Sequence, residues 1–318
     1  MSAPAAGTFQ WDRGLTFLQQ VDEPFRQDIE PAMLWRQLPA LVCHYAGLRS
    51  RTAFLFPWLG AFTAVVYVAV VAARQNPAPR FVWGCTLLYA SSAALLVPAH
   101  WFGINDGWIW LGLLAVAFGR STFTPVIAIL LCPWVDERFL IALPVALLIR
   151  GRASDPAFCW KHFTLLVWIL PYALIRVGFL GVSGGALTSE YLGDRAQMLI
   201  HLAPFAPLGW WMALRGGWVP AGYAAARYGW SIAVASILAL LACFVVAYDI
   251  SRSAAVLAPL MLAGCFEWHR VHPADAARQI WWLALINLLL PAVHVVHDKI
   301  DLINPLPIEL IRLWQGIG

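Results

Sequence analysis

Uncharged apolar runs occupy most of the chain between residues 53 and 297. Of all residues, 61% are hydrophobic and only 12% are charged, whereas soluble domains are about 25% charged. A helix of about 20 apolar residues crosses the hydrocarbon core of a bilayer. Six runs have about that length: 53–73, 81–103, 160–181, 196–214, 229–248 and 279–297. We therefore predict an all-α fold, a polytopic transmembrane helical bundle.

Four further apolar runs are shorter, with 11 to 14 residues each: 108–119, 122–134, 139–149 and 253–266. Helices of that length measure about 17–21 Å, less than the roughly 30 Å of hydrocarbon in a bilayer. Counting them gives about ten membrane segments in one transmembrane domain, residues 53–318. Because irregular backbone at membrane depth is tolerated only beside water or protein, the short runs predict an outward-facing cavity with charged residues at its floor.

The first 52 residues are polar to mixed, and we interpret 1–52 as an N-terminal tail. Within it, residues 31–48 carry apolar side chains at helical spacing: Leu34, Leu38, Leu41, Tyr45 and Leu48. This spacing is typical of an amphipathic helix that lies on a membrane surface. The opening MSAPAAGTFQ lacks the basic and apolar regions of a signal peptide. The tail is therefore expected to contribute an interfacial helix and no membrane crossing.

The distribution of charge predicts an orientation. With ten crossings, ten basic residues fall on one side and, beyond the tail, five on the other. By the positive-inside rule the first side is cytoplasmic, which places both termini and the cavity outside. The net charge of +4 is too small and too dispersed to indicate a nucleic-acid partner.

Three charged residues, Asp136, Glu137 and Arg138, stand together at the start of one short run. A charge in hydrocarbon costs at least about 2.5–3.5 kcal/mol, so their position at the predicted cavity floor favours a functional role. The alternative is helix capping, since an acid in the first turn favours a helix by about 0.3–1 kcal/mol. Asp106 has the same two interpretations, because it lies in a turn that precedes another short run.

Two other positions combine charge with apolar surroundings. Asp249 and Arg252 are three residues apart and share a helix face, either as an isolated ion pair or as part of the cavity floor. Arg176 lies well inside the 160–181 run, where it could extend to the interface or bind an anionic head group. Both sets are candidate binding residues.

The segment HVVHDKID places His294, His297 and Asp298 on one face of a predicted helix. Two imidazoles and one carboxylate are suitable metal ligands, so a divalent metal is one interpretation. The set falls short of the repeated histidine boxes of membrane di-metal enzymes. A polar or acid–base role at the helix end is therefore preferred, and no metal or other cofactor is expected.

Four stretches between about residues 30 and 265 resemble bacterial multi-spanning proteins of the GT-C glycosyltransferase superfamily: EPAMLWRQLPALVCHYAGL, INDGWIWLGLLAVAF, DERFLIALPVALLIR and YDISRSAAVLAPL. The resemblance implies a helical bundle in the bacterial inner membrane, an outward-facing site and a sugar donor linked to polyprenyl phosphate. It also implies that a loop carboxylate, Asp136 or Glu137, acts as the base. Arg138 or Arg252 would then bind the lipid phosphate.

Two classes of function follow. The first is an enzyme of cell-envelope glycan or glycolipid synthesis, with Asp136, Glu137 and Asp106 as catalytic candidates and Asp136 preferred as the base because it lies nearest the loop. The substrate-binding candidates are Arg138, Arg252, Asp249, Arg176, His294, His297 and Asp298. The second is a non-catalytic lipid or glycan transporter or flippase, and a structural subunit of an envelope polysaccharide complex is a further alternative. The expected partners are membrane lipids, a lipid-linked sugar and other membrane proteins of the assembly pathway.

Overall fold

The computed structural model describes residues 12–26, 28, 33, 35–154, 160–178, 189–247, 249–296, 299–304, 311 and 315, and most of them are helical. The prediction of a mainly helical fold is confirmed. The first eight helices are α1 (Asp12–Asp22), α2 (Gln37–Tyr45), α3 (Ser50–Gln75), α4 (Pro79–Ala90), α5 (Ala93–His100), α6 (Asp106–Phe118), α7 (Phe123–Trp134) and α8 (Arg138–Ser154). A 3-10 helix, Trp160–Ile169, then leads into α9 (Leu170–Gly178), α10 (Ser189–Leu202), α11 (Ala206–Leu214), α12 (Trp218–Tyr228), α13 (Trp230–Val246), α14 (Ile250–Val271), α15 (Ala276–Leu289), β1 (Ala292–Val296) and β2 (Lys299–Ile303).

Two helices in the described part of the chain, α3 and α14, are long and apolar enough to cross a membrane. A third candidate span is the pair α4 and α5, if its two bent helices are taken together. The two long helices differ in their surroundings, because 94% of the most apolar stretch of α14 is buried inside the protein, against 39% for α3. Helix α14 is therefore central to the bundle, and α3 leaves an apolar face at the protein surface.

Two runs predicted as single spans are divided in the structure. In the 81–103 run, Ser91 and Ser92 separate α4 from α5 with a bend of 54°, and the Ser92 hydroxyl caps α5 by accepting a hydrogen bond from the N–H of Ala94 at 3.3 Å. In the 196–214 run, a short 3-10 turn containing Pro204 separates α10 from α11, as expected where proline removes a backbone donor.

Two runs predicted to be short belong to longer helices, which corrects the expectation. Helix α8 has 17 residues and α14 has 22, lengths of about 26 and 33 Å. In α8, Arg150 stays within the helix because its guanidinium donates hydrogen bonds to the carbonyl oxygens of Val116 and Gly119, at 3.1 and 2.6 Å, at the end of α6. In α14, Arg252 lies buried in the first turn. Helices α6 and α7 remain short.

The helix predicted for the 279–297 run ends early, and the expectation of a helical face carrying His294 is wrong. Helix α15 stops at Leu289, two residues before Pro291, and Ala292–Val296 forms strand β1. The two strands form an antiparallel hairpin in which Val296 pairs with Lys299. Three valines in β1 favour the extended conformation, and proline ends the helix before them.

The amphipathic helix predicted for residues 31–48 is shorter among the described residues, since α2 spans Gln37–Tyr45 and Trp35 lies in a turn. Gly47 follows the helix with a φ of +71°, a conformation that glycine adopts without strain. There the N–H of Leu48 donates to the carbonyl oxygen of Cys43 at 2.9 Å. The chain then turns back into α3.

The packing of α12 against α14 is close because Gly264 faces backbone. A Cβ atom at Gly264 would overlap the carbonyl oxygen of Pro220 in α12. We expect Gly264→Ala to lower the free energy of unfolding by about 1–3 kcal/mol or more, since overpacking forces backbone shifts. Gly222→Ala in α12 is the matched control, because nothing lies within 4 Å of its added Cβ. Melting of both variants in detergent checks the prediction, and equal melting temperatures would contradict it.

Candidate functional site

A buried group of charged side chains lies where α6, α8 and α14 begin, with Arg138 at its centre. The Arg138 guanidinium donates from Nη2 to Asp106 Oδ1 at 2.8 Å and from Nε and Nη2 to the two carboxylate oxygens of Asp136, both at 2.8 Å. Its Nη1 donates to the Ser253 hydroxyl at 3.2 Å. Arg138, Asp106 and Asp136 are 2–3% exposed. One cation therefore holds two buried carboxylates from different parts of the chain.

Arg252 connects this group to a third carboxylate. Its Nε lies 2.7 Å from Asp249 Oδ2 and 3.3 Å from Asp106 Oδ2. Asp249 also caps α14, since its side chain accepts a hydrogen bond from the N–H of Arg252 at 3.2 Å. The capping and ion-pair interpretations of Asp249 and Arg252 therefore both describe the structure, but the pair is not isolated. We call Asp106, Asp136, Arg138, Asp249, Arg252 and His294 the charged network.

His294 joins the charged network from strand β1. Its Nε2 lies 3.2 Å from Asp249 Oδ2, and its Nδ1 lies 2.8 Å from the hydroxyl of Ser251. That hydroxyl accepts the N–H of Val295 at 3.1 Å, so its own hydrogen is available to Nδ1. An imidazole protonated at Nε2 donates a hydrogen bond to Asp249 and accepts one from Ser251 at Nδ1. The imidazole ring also packs edge-on against Trp101, at a centroid distance of 4.6 Å.

Asp136 and Glu137 lie in the connection between α7 and α8 and have different environments. Arg36 Nη2 binds Asp136 Oδ2 at 2.8 Å, and its Nε lies 3.7 Å from Glu137 Oε2. Burial acts to raise the pKa of Asp136, but Arg138 and Arg36 outweigh it and hold that pKa below the usual range. Burial, together with the charge of Asp136, raises the pKa of Glu137, and Arg36 opposes that rise. Asp136 is therefore the firmly ionised member of the pair, and the Glu137 side chain is 32% exposed.

A small pocket with a cavity volume of about 20 Å³, open in part to solvent, lies against one side of the charged network. It is lined by charged, polar and apolar residues of four parts of the chain: Arg13, Gln20, Met33, Arg36, Gly103, Ile104, Asn105, Asp106, Val135, Asp136 and Arg252. Of the predicted site residues, Asp106, Asp136 and Arg252 thus reach the pocket. Arg138, Asp249 and His294 support them from outside its lining.

The remaining predicted site residues lie elsewhere. The Arg176 guanidinium stacks over the indole ring of Trp35 at 3.0 Å from the centroid, a cation–π contact outside the pocket lining. His297 and Asp298 lie outside the described residues. No group of three or more His, Cys, Asp or Glu side chains suited to a metal occurs in the part of the chain that the structure describes.

Residues of the N-terminal segment were not predicted to belong to the site. Arg13, Gln20 and Arg36 line the pocket, although the sequence predicts residues 1–52 to be a tail. The sequence offers little signal for this placement, because Arg36 is flanked by the polar Gln37 and fits the solvent face of a surface helix equally well. The fold brings α1, which carries Arg13 and Gln20, and the turn that carries Arg36 to the pocket.

Arg215 is a further buried cation, outside the charged network. Its guanidinium donates to the carbonyl oxygens of Ser91 at 3.1 Å and Leu290 at 2.6 Å. It therefore connects the break between α4 and α5 to the end of α15. Its φ of +55° is uncommon for a residue with a side chain. This position satisfies helix-end carbonyl groups and stands apart from the pocket lining.

The pocket combines the two chemical elements that acyl, glycosyl and phosphoryl transfer share. Guanidinium groups bind and stabilise an anion, and a neighbouring carboxylate can accept a proton. The N–H group of Arg36 Nε is buried without a hydrogen-bond partner, which is uncommon for buried polar atoms. Arg252 Nε and Asp106 Oδ2 lie 3.3 Å apart as an ion pair that does not form a hydrogen bond. Comparisons of the chain with protein-family models, with curated proteins and with solved structures find no match.

Proposed function

We propose that the protein is a membrane-embedded glycosyltransferase that uses a sugar linked to polyprenyl phosphate. The observation that carries this proposal is the placement of the Asp106 carboxylate and the Arg252 guanidinium, 3.3 Å apart, in the lining of one pocket. Transfer of a sugar from a lipid phosphate needs a base for the acceptor hydroxyl and a cation for the departing phosphate. The sequence resemblance to the GT-C superfamily supports the same chemistry.

In this proposal Asp106 is the base, in place of the Asp136 preferred from the sequence. Both oxygens of Asp136 accept hydrogen bonds from Arg138, and Arg36 binds one of them as well. A carboxylate so strongly held as an anion is a weak proton acceptor. Asp106 accepts one hydrogen bond from Arg138 through Oδ1, and its Oδ2 lies 3.3 Å from Arg252 Nε in an ion pair that does not form a hydrogen bond. Asp136 then positions Arg138 and Arg36.

The membrane arrangement belongs to the same proposal. A bundle of about ten membrane segments in a bacterial inner membrane, with both termini and the pocket outside, would give the pocket access to lipid-linked donors. The two long apolar helices support membrane insertion, and the charge distribution supports the orientation. Lipid-linked sugar, membrane lipids and other membrane proteins of an envelope pathway are the proposed partners.

A non-catalytic lipid transporter or flippase is the second candidate. The observation that favours it is the pairing of Asp106, Asp136 and Asp249 with arginine, because acid–arginine pairs can open and close a polar path. A transporter would move an intact lipid-linked sugar, whereas a transferase would release polyprenyl phosphate. Assay of that release from purified protein, over a panel of polyprenyl-phosphate-linked sugars and acceptors, separates the two.

Arg252→Lys tests the catalytic proposal within the same assay. Lysine keeps the charge but loses the planar set of donors that matches a phosphate, so we expect turnover to fall by on the order of 10²-fold. Arg278→Lys is the control, because Arg278 forms an exposed pair with Asp275 and neither residue lines the pocket. Wild-type turnover in a folded Arg252→Lys protein would exclude Arg252 as the phosphate ligand.

A further inference from the structure

The N-terminal segment forms one wall of the pocket. Helix α1 supplies Arg13 and Gln20, and the turn before α2 supplies Met33 and Arg36. We call α1 together with Met33, Trp35 and Arg36 the N-terminal cover. The charged network supplies Asp106, Asp136 and Arg252 to the same lining. A ligand in the pocket would therefore contact both the N-terminal cover and the charged network.

The N-terminal cover is fixed by close packing on the rest of the protein. Gly103, with a φ of +77°, approaches α1 so closely that a Cβ atom there would lie 2.8 Å from the carbonyl oxygen of Arg13 and 2.9 Å from the Cβ of Phe17. The aromatic rings of Phe17, Phe54 and Phe102 form a continuous series, with successive centroids 6.3 and 4.6 Å apart. Such packing holds α1 against the pocket.

Polar contacts fix the turn that carries Arg36. The Gln20 side-chain amide donates to the carbonyl oxygen of Met33 at 2.7 Å, and the N–H of Arg36 donates to the same oxygen at 3.0 Å. The Arg176 guanidinium covers the ring of Trp35. The contacts of Met33 and Trp35 therefore fix the backbone from which the Arg36 side chain binds Asp136.

The pocket lining carries three arginines, Arg13, Arg36 and Arg252, and two carboxylates, Asp106 and Asp136. Outside the lining, Arg252 also pairs with Asp249 at 2.7 Å. Arg36 Nε is buried without a hydrogen-bond acceptor, and Glu137 Oε2 lies 3.7 Å from it. A ligand with several acceptor oxygens would satisfy this donor, and phosphate offers such oxygens in the geometry that guanidinium groups match.

We propose that Arg36, together with Arg13, is a phosphate-binding residue, so that the N-terminal cover completes a phosphate site whose other side is Arg252. The inference rests on the proposed function in taking Arg252 as a phosphate ligand. It extends that function by making the N-terminal cover part of the substrate site. The ligand class is a phosphate monoester or diester, bound between two guanidinium-bearing walls.

The test is direct binding to purified full-length protein in detergent, followed by tryptophan fluorescence. The probes are farnesyl phosphate, the neutral alcohol farnesol and inorganic phosphate. We expect farnesyl phosphate to bind more tightly than farnesol, and Arg36→Gln to weaken its binding by about 10-fold or more, as for a lost charge-assisted hydrogen bond. Arg51→Gln is the matched control, because Arg51 is exposed and lies outside the pocket lining. Equal affinity of the Arg36→Gln and wild-type proteins for farnesyl phosphate would overturn the inference.

The probes also identify the source of the phosphate. Arg36-dependent binding of farnesyl phosphate, with inorganic phosphate much weaker, assigns the site to a lipid phosphate. Arg36-dependent binding of inorganic phosphate with equal affinity supports the same site and assigns it to a free phosphate. Binding of farnesol as tight as that of farnesyl phosphate would show that the lipid chain alone is recognised and would overturn the inference.

Gly103→Ala provides a second variant that changes no charge. Its methyl group would push α1 away from the pocket, so we expect it to weaken phosphate binding while Arg252 stays in place. Unchanged binding by a folded Gly103→Ala protein would contradict a role for the N-terminal cover. Failure of the proposed function has a different result: wild-type protein that binds farnesyl phosphate in an Arg36-dependent manner, but releases no polyprenyl phosphate from any donor, would refute transfer and leave the phosphate site standing.

Discussion

Replacement of Arg138 by methionine should lower the free energy of unfolding by about 3–5 kcal/mol, the cost of leaving buried charges without their partner. Methionine fills a similar volume, but it offers no donors to Asp106 and Asp136, which each lie 2.8 Å from the guanidinium. Arg252 would still contact Asp106, and Arg36 would still contact Asp136. Unfolding of the purified protein in detergent, by heat and by denaturant, measures the loss.

Arg278→Met is the matched control for this prediction. Arg278 binds Asp275 at 2.7 Å, but their side chains are 58% and 55% exposed, and exposed pairs contribute about 0–1 kcal/mol. A second comparison is the double variant Arg138→Met with Asp106→Asn, which removes one of the carboxylates left unpaired and should recover part of the stability. Equal destabilisation by Arg138→Met and Arg278→Met would show that the charged network contributes nothing specific to the fold.

The helical fold could be predicted from the sequence, because a long apolar run is recognised from its length and composition alone. Helix α3 matches its predicted run closely, since no proline or polar pair interrupts it beyond the first turns. The 81–103 and 196–214 runs divide at Ser91–Ser92 and at the turn containing Pro204. Capping and proline effects of about 1–3 kcal/mol are local, and a hydropathy window does not detect them.

The charged clusters were recognised separately because each stands out against apolar neighbours. The structure brings Asp106, Arg138 and Arg252 together through ion pairs that connect residues 32 to 146 positions apart in the chain. Periodicity does not specify which helix ends meet, so the pairing partners could not be read from the sequence. The role of Arg36 could not be predicted for the same reason, because its contact with Asp136 depends on the tertiary position of the turn before α2.

The hairpin at the end of the chain shows a further limit. Val293, Val295 and Val296 are as apolar as the helix before them, so the run continues in hydropathy although the backbone changes conformation after Pro291. The change moves His294 from a predicted helix face to a strand, where it contacts Asp249 and Ser251. Strand preference is weaker and depends more on context than helix preference.

Asp106→Asn should reduce sugar transfer by about 10²–10⁴-fold, the usual contribution of a positioned general base, while the protein still folds. The asparagine oxygen can accept the hydrogen bond that Arg138 Nη2 now donates to Asp106 Oδ1 at 2.8 Å. The amide cannot accept a proton from the acceptor hydroxyl, however. Release of polyprenyl phosphate measures turnover, and detergent melting shows that the variant is folded.

Asp136→Asn is the comparison that separates catalysis from positioning. Its carboxylate accepts hydrogen bonds from Arg138 and binds Arg36, so we expect this variant to lose stability and phosphate affinity first, with a smaller loss of turnover at saturating donor. Asp275→Asn, at an exposed ion pair, controls for the loss of a carboxylate as such. If Asp106→Asn melts like wild type and transfers sugar at the wild-type rate, Asp106 is not the base, and its carboxylate serves only to hold Arg138 and Arg252 at the ends of their helices.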